Sequence, residues 1–220
     1  MSGPHRPRRE RLPPRDILVA EEDPQAIAML REVMRLVFPE ARLHLAGTAA
    51  QARLMISTLR PDFVVVNLNV ADPSPREFIA QARARDALTR VVVVAGHGDD
   101  DRLLPALQGG AAGFLLKHNA LCVVESQLRE IQAGVLPMSL ALARQLIRHV
   151  DSAGPGATLE PLEVEVLTWA AAGDTLQEVA WRMHTELPAV SAHVQRIYRK
   201  LKLPANAVAP PVDQPLCPHA

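Results

Sequence analysis

The chain has 220 residues, of which 48% are hydrophobic and 22% charged, with 24 Lys and Arg against 24 Asp and Glu. Zero formal net charge excludes a global field that would draw the whole protein to nucleic acid or membrane, so any such affinity must come from a local patch. The length allows one large domain or two modest ones, and two cysteines, Cys122 and Cys217, are too few for a disulfide framework or metal cluster and suit a reducing compartment.

Residues 1–15, MSGPHRPRRERLPPR, carry five arginines without the apolar stretch of a secretion signal. They read as a disordered basic arm of a cytoplasmic protein. Short apolar runs follow: ILVA at 17, RLHLAG at 42, FVVV at 63, VVVV at 91 and GFLL at 113. None is long enough to cross a bilayer, so no membrane partner is expected. Between the first two, Ile27, Leu30, Val33, Met34 and Val37 fall on one helical face. Similar stripes occupy 49–59, 76–84, 101–108 and 121–133. Five strands alternating with five helices predict an α/β domain with a doubly wound five-stranded parallel sheet. An eight-fold barrel would need about 250 residues. The carboxyl ends of the strands, where such sheets gather functional groups, carry Glu21, Glu22 and Asp23, then Asn67, then Ala95, then Lys117.

Residues 100–108, DDRLLPALQ, fit the fourth helix, capped by Asp99 or Asp100. Pro105 inside it removes a backbone donor at about 3 kcal/mol and predicts a shortened or kinked helix. SLALARQLIRHV at 139–150 predicts a connecting helix, and DSAGPGAT at 151–158 a linker, so that 137–157 separates two domains. Beyond it the valine-rich strands vanish. Pro161 and Gly173 bound a helix over 161–172. Thr175 and Glu178 form a capping box for a second helix, TLQEVAWRM, and a third spans 187–202. Three short helices over 158–204 read as a small all-α helix-turn-helix domain. On the third, Val190, Val194, Ile197 and Leu201 share a face expected to pack on Val166, Leu167, Val179 and Met183. Ser191, Ala192, Gln195, Arg196 and Arg199 share another. Residues 205–220 form a Pro-rich tail.

Five stretches, ILVAEEDP, RPDFVVVNLNVADP, GGAAGFLLKHNA, LEPLEVEVLTWAAAGDTLQEVA and VSAHVQRIYRKL, resemble a NarL/FixJ-type response regulator. The resemblance covers about 17–203 and implies a flavodoxin-like receiver over 16–136 joined to a LuxR-type DNA-binding domain over 158–204. It also implies a transcription regulator rather than an enzyme, with promoter DNA as partner through the major groove. In that family an aspartate ending the third strand is phosphorylated, with Mg²⁺ held by it and an acidic pair. A Ser or Thr ending the fourth strand then bonds the phosphoryl oxygens.

Here Asn67 stands at the acceptor position. A neutral amide is a poor nucleophile that cannot yield the acyl phosphate, and one anionic Mg²⁺ ligand is lost with it. Glu21 and Glu22 replace the usual aspartates, which leaves only weak Mg²⁺ binding as a cofactor expectation. Ala95 stands at the switch position, and Lys117 is retained, with a salt bridge to Glu21 or Glu22 as its expected role. A receiver that works without aspartyl phosphorylation is the leading expectation. An ordinary phosphorylated regulator would have to use Asp23 or Asp72 as substitute acceptor.

By the resemblance, DNA contacts fall to Thr175, Ser191, Ala192, His193, Gln195, Arg196, Arg199 and Lys200, with Lys202 extending the cationic stripe toward phosphates. Several features depart from the family. Ala189 and Ser191 lack the usual donors, and Glu186 occupies the usual Ser/Thr cap. Residues 155–220 hold five Lys and Arg against seven Asp and Glu, a net charge of −2, unlike a basic DNA-binding module. Pro210 and Pro211 break the helix the family uses for dimer contact, so a homodimer is expected to form through the receiver or connecting helix. A second reading stays open: a protein-interaction regulator that has lost direct DNA binding and pairs with a kinase or another regulator.

Overall fold

A computed structural model describes residues 13–71, 74–134, 136–153 and 159–203. Its first part alternates β1 (Asp16–Ala20), α1 (Pro24–Val37), β2 (Arg42–Ala46), α2 (Ala49–Leu59), β3 (Phe63–Asn67), α3 (Pro75–Arg85), β4 (Arg90–Ala95), α4 (Asp100–Gln108), β5 (Gly113–Leu116) and α5 (Leu121–Ala133). The strands pair in parallel in the order β2-β1-β3-β4-β5. The topology is the expected doubly wound sheet.

The valine runs sit where both faces are covered. β3 and β4 are central, and Val64, Val65, Val92 and Val93 are all fully buried. Alternation sends Val64, Val66, Val91 and Val93 into one core layer with Ile56, Phe78 and Leu103. Val65, Val92 and Val94 enter the other with Leu30, Met34, Val124 and Leu128. Gly113 lets α5 close on β5: a Cβ there would lie 2.6 Å from Cγ1 of Ile131.

The register carries all four strand ends to one edge. Ala20 lies opposite Val66, Asn67 opposite Val94, and Ala95 opposite Leu116. The residues that follow β1 and β5, Glu21 and Lys117, therefore converge on Asn67.

Helix α4 covers the expected nine residues, Asp100–Gln108, and is not shortened at Pro105 inside it. Pro105 and Asp101, whose carbonyl loses its intrahelical donor, are both exposed, so the proline lies on the solvent side of the helix, where a freed acceptor costs least. Asp99 precedes the helix but caps no amide of it with its side chain. Its Oδ2 instead accepts from Gly96 N–H at 2.8 Å.

A connecting helix, α6 (Leu140–Ala153), leads to α7 (Pro161–Ala172), α8 (Leu176–Arg182) and α9 (Leu187–Lys200). Leu142, Ala143 and Leu146 of α6 share a core cluster with Leu103, Leu107, Val166 and Leu167. Three polar contacts hold α6 between the two parts of the chain. Gln145 Oε1 accepts from Leu104 N–H at 2.9 Å, Arg148 pairs with Asp101 at 2.8 Å, and Arg144 Nε donates to Ala171 O at 3.1 Å. The basic arm over 1–12, Asp72 and the tail from 204 lie outside the described residues. No helix among the described residues is long and apolar enough to cross a membrane.

Candidate functional site

The sheet-edge pocket is built around one carboxylate. Glu21 is 1% exposed, and its Oε1 accepts from Glu22 N–H at 2.9 Å, Asp23 N–H at 3.0 Å, Asn67 Nδ2 at 2.8 Å and Lys117 Nζ at 2.9 Å. Lys117 also lies 2.9 Å from Oε2, so the ammonium spans both oxygens. This is the salt bridge expected from the sequence. Burying a carboxylate is costly unless its charge is matched and its oxygens are bonded; Lys117 supplies the charge and three N–H groups bind Oε1, while Oε2 has the Lys117 ion pair and no hydrogen bond of its own.

Asn67 does more than withhold a nucleophile. Its Nδ2 donates to Glu21, and its Oδ1 accepts from Asn69 N–H at 3.0 Å. An aspartate in the same place would have no proton to give and would set two carboxylates about a hydrogen bond apart, where only one ionises readily. Ala95 is fully buried; its carbonyl accepts from Lys117 N–H at 3.0 Å, and it offers no hydroxyl. Arg102 of α4 secures the loop after β3, donating to Asn69 Oδ1 and Leu68 O, each at 2.8 Å. The histidines on the rim, His97 and His118, stack with centroids 4.6 Å apart.

The donor set does not fit the Mg²⁺ site the family implies. Glu21 Oε1 already meets four donors, its Oε2 faces the Lys117 ammonium at 2.9 Å, Glu22 is exposed, and Asp23 Oδ1 caps α1 by accepting from Gln25 N–H at 3.0 Å. Octahedral Mg²⁺ needs carboxylate oxygens free to face it.

In the second part, Val190, Val194, Ile197 and Leu201 bury against Val166, Leu167 and Val179 as expected, with Met183 partly buried beside them. The buried face of α9 is wider than periodicity alone indicated. Gln195 is 9% exposed and Tyr198 fully buried, its hydroxyl 3.4 Å from Pro137 O. Burial, reinforced by the negative charge of Glu130, pushes the tyrosine pKa well up. Gln195 is therefore not placed for base contact in this arrangement, whereas Ser191, Ala192 and His193 are half-exposed and Arg199 and Lys200 exposed.

Two cations of the stripe are tied to a residue the sequence did not single out. Glu163 of α7 is completely buried. Lys200 Nζ reaches its Oε2 at 2.7 Å and Arg196 Nε lies 3.5 Å from Oε1; Glu160 N–H donates to Oε2 at 2.8 Å. Burial works to raise the Glu163 pKa, but the Lys200 hydrogen bond, the Glu160 N–H and the two cationic charges outweigh it and leave the carboxyl lowered. Arg196 also meets His193 Nδ1 at 2.6 Å. Desolvation first and Arg196 second depress the His193 pKa, so the ring stays neutral and accepts from the guanidinium. Thr175 caps α8 with a two-way link to Glu178. Glu186, at the cap of α9, bonds no backbone amide with its side chain.

Residues 17–129 match the response regulator receiver domain, and residues 157–209 match the bacterial regulatory proteins of the luxR family. A probable transcriptional regulatory protein NarL of Mycobacterium tuberculosis is 28% identical over 201 residues, covering 88% of this chain and 90% of that protein. The nitrate/nitrite response regulator protein NarL of Escherichia coli is 24% identical, covering 89% and 93%. Among solved structures, Salmonella RcsB bound to a promoter superposes with a TM-score of 0.53 at 18% identity, covering 86% of this chain and 92% of that one. A structure of two RcsB dimers on two parallel DNAs gives 0.51 at 16%, covering 86% and 92%. With the receiver family spanning over half the chain and the luxR family following it, this protein belongs to the response regulators of the NarL/FixJ type.

Proposed function

We propose that this protein is a cytoplasmic DNA-binding transcriptional response regulator whose receiver operates without aspartyl phosphorylation. DNA-binding transcription regulation follows from the family itself. Independence from phosphate rests on one observation: the Glu21 carboxylate is satisfied by Asn67 and Lys117, the two positions that in a working receiver attack and neutralise a phosphoryl group. The Glu21 charge is already matched by Lys117 without an incoming anion, and any Mg²⁺ affinity left to Glu21 and Glu22 is weak.

DNA engages the exposed side of α9, with Ser191, Ala192 and His193 toward bases and Arg196, Arg199 and Lys200 toward phosphates, while Thr175 anchors the preceding helix. A homodimer would form through the receiver or α6. The family membership favours this over an interaction-only regulator.

The test is a gel shift on duplex from the gene's own upstream region, with and without acetyl phosphate and Mg²⁺. Binding that does not respond to the donor, together with no acid-labile phosphate on the chain, is the expected result. Phosphate incorporated at any receiver aspartate, Asp23 and Asp72 included, overturns the phosphate-independent reading. Absence of duplex binding near physiological salt overturns the DNA-binding part.

A further inference from the structure

A cleft of about 360 Å³ opens between α1 and the edge strand β2. Met34 of α1 and Phe38 just past its end form its floor, Leu43 and Leu45 of β2 one wall, and Arg31 and Arg35 its rim. The local cause is topological. β2 has a strand neighbour on one side only, and α1 does not fully cover it, so Leu45 remains 38% exposed. Arg31 and Arg35, four residues apart, lie on one side of the helix. Both are exposed, and neither is ion-paired among the described residues.

From this we infer that the cleft is a binding site for an amphipathic organic anion. Two unpaired guanidiniums match a carboxylate or phosphate head in fork geometry. The leucine-walled trough takes an aliphatic or aryl body, and the volume falls in the range of small-ligand sites. Inorganic phosphate would use the rim and leave the apolar wall uncovered. A neutral alcohol would use the wall and leave the cations unanswered. Only a molecule with both parts answers the whole surface.

The site also touches the framework leading to α9. The Phe38 ring lies 5.6 Å from that of Phe63, and the Arg90 guanidinium sits 5.2 Å above Phe63. Arg90 bonds Gln132 in the last turn of α5. The chain then passes Gly134 to Pro137, whose carbonyl meets Tyr198. Contiguity alone is not coupling. That an organic anion sets the regulator's state rests on the phosphate-independent reading above; the binding site itself does not.

Isothermal titration of the full-length chain with octanoate, 1-octanol and inorganic phosphate tests the site. Octanoate is expected to bind one to one, with a dissociation constant on the order of 1 mM for a probe of about ten heavy atoms. It should bind at least about ten-fold more tightly than either comparator. The Arg31→Gln/Arg35→Gln variant should keep its melting temperature, because both side chains are exposed, and lose that preference. Leu45→Asp should weaken octanoate with both arginines intact. Equal octanoate binding by wild type and the double variant overturns the assignment. So does phosphate binding as tight as octanoate, uptake only onto anionic phospholipid vesicles, or no saturation by about twenty times the expected constant. None of these results bears on whether the chain accepts phosphate, which the acetyl phosphate experiment decides separately.

Discussion

Asn67 and Glu21 explain each other. The amide can donate where a carboxylate cannot, and the glutamate is long enough to reach back under it, so 2.8 Å separates Nδ2 from Oε1. Asn67→Asp should therefore not restore a receiver; it should injure one. Two carboxylates at that spacing share one negative charge comfortably, and the second costs about 1–3 kcal/mol through the lost donor and the like charge. Because the folded state would then hold a proton the unfolded chain has released, the deficit should grow as pH rises from about 3.9 toward neutrality. Urea unfolding of wild type and Asn67→Asp at pH 4.5 and 7.5 measures it. Equal stability at both pH values would remove the complementarity argument. The missing acceptor, the missing switch hydroxyl and the Lys117–Glu21 pair were legible in the sequence because each is a residue type at a strand end. The amide's role as donor was not, since it depends on the side-chain geometry inside the pocket.

At the scale of elements, periodicity recovered the five strands and nine helices described, because each apolar stripe serves one core layer. Propensity does not know which carbonyl faces water, so it did not show that α4 keeps its length through Pro105. Nor could it show that Gln145, on the connecting helix, reaches across to Leu104 N–H. That contact is buried, with Gln145 only 5% exposed. Gln145→Leu keeps the apolar packing and removes the side-chain acceptor that Leu104 N–H adds to its place in the α4 ladder, together with a buried Nε2 that has no partner, an expected loss of about 0.5–1.5 kcal/mol. Arg148→Ala, which removes only the exposed pair with Asp101, should stay within about 1 kcal/mol of wild type. Denaturant unfolding ranks the two, and native-state hydrogen exchange at Leu104 should accelerate in the first variant alone. If both variants behave alike, α6 is held by apolar contact and the buried hydrogen bond has no special weight.

For the whole molecule, affinity for DNA must come from a stripe rather than from net charge, which is zero. The stripe is thinner than its sequence indicates. Glu163 engages both Arg196 and Lys200, so Arg199 and Lys202 are the cations of α9 and its end left outside that cluster. Each phosphate neutralised contributes about −0.9 to the slope of log K against log salt. A protomer using chiefly these two, with partial help from the tethered pair, should show a slope of roughly −2 to −3. Arg199→Ala should flatten it by about 0.9. Glu163→Gln should steepen it by releasing two cations, provided the variant's melting curve shows a folded output domain. His193 adds nothing on mild acidification, because its pKa is depressed and the ring remains neutral as pH falls through the ordinary histidine value. Fluorescence anisotropy on one duplex across a salt series, normalised per bound protomer, reads all of these. A wild-type slope near −6 or steeper would mean that Arg196 and Lys200 leave Glu163 on binding and that other basic residues join them. The ion-paired arrangement would then describe the free protein and not the DNA complex.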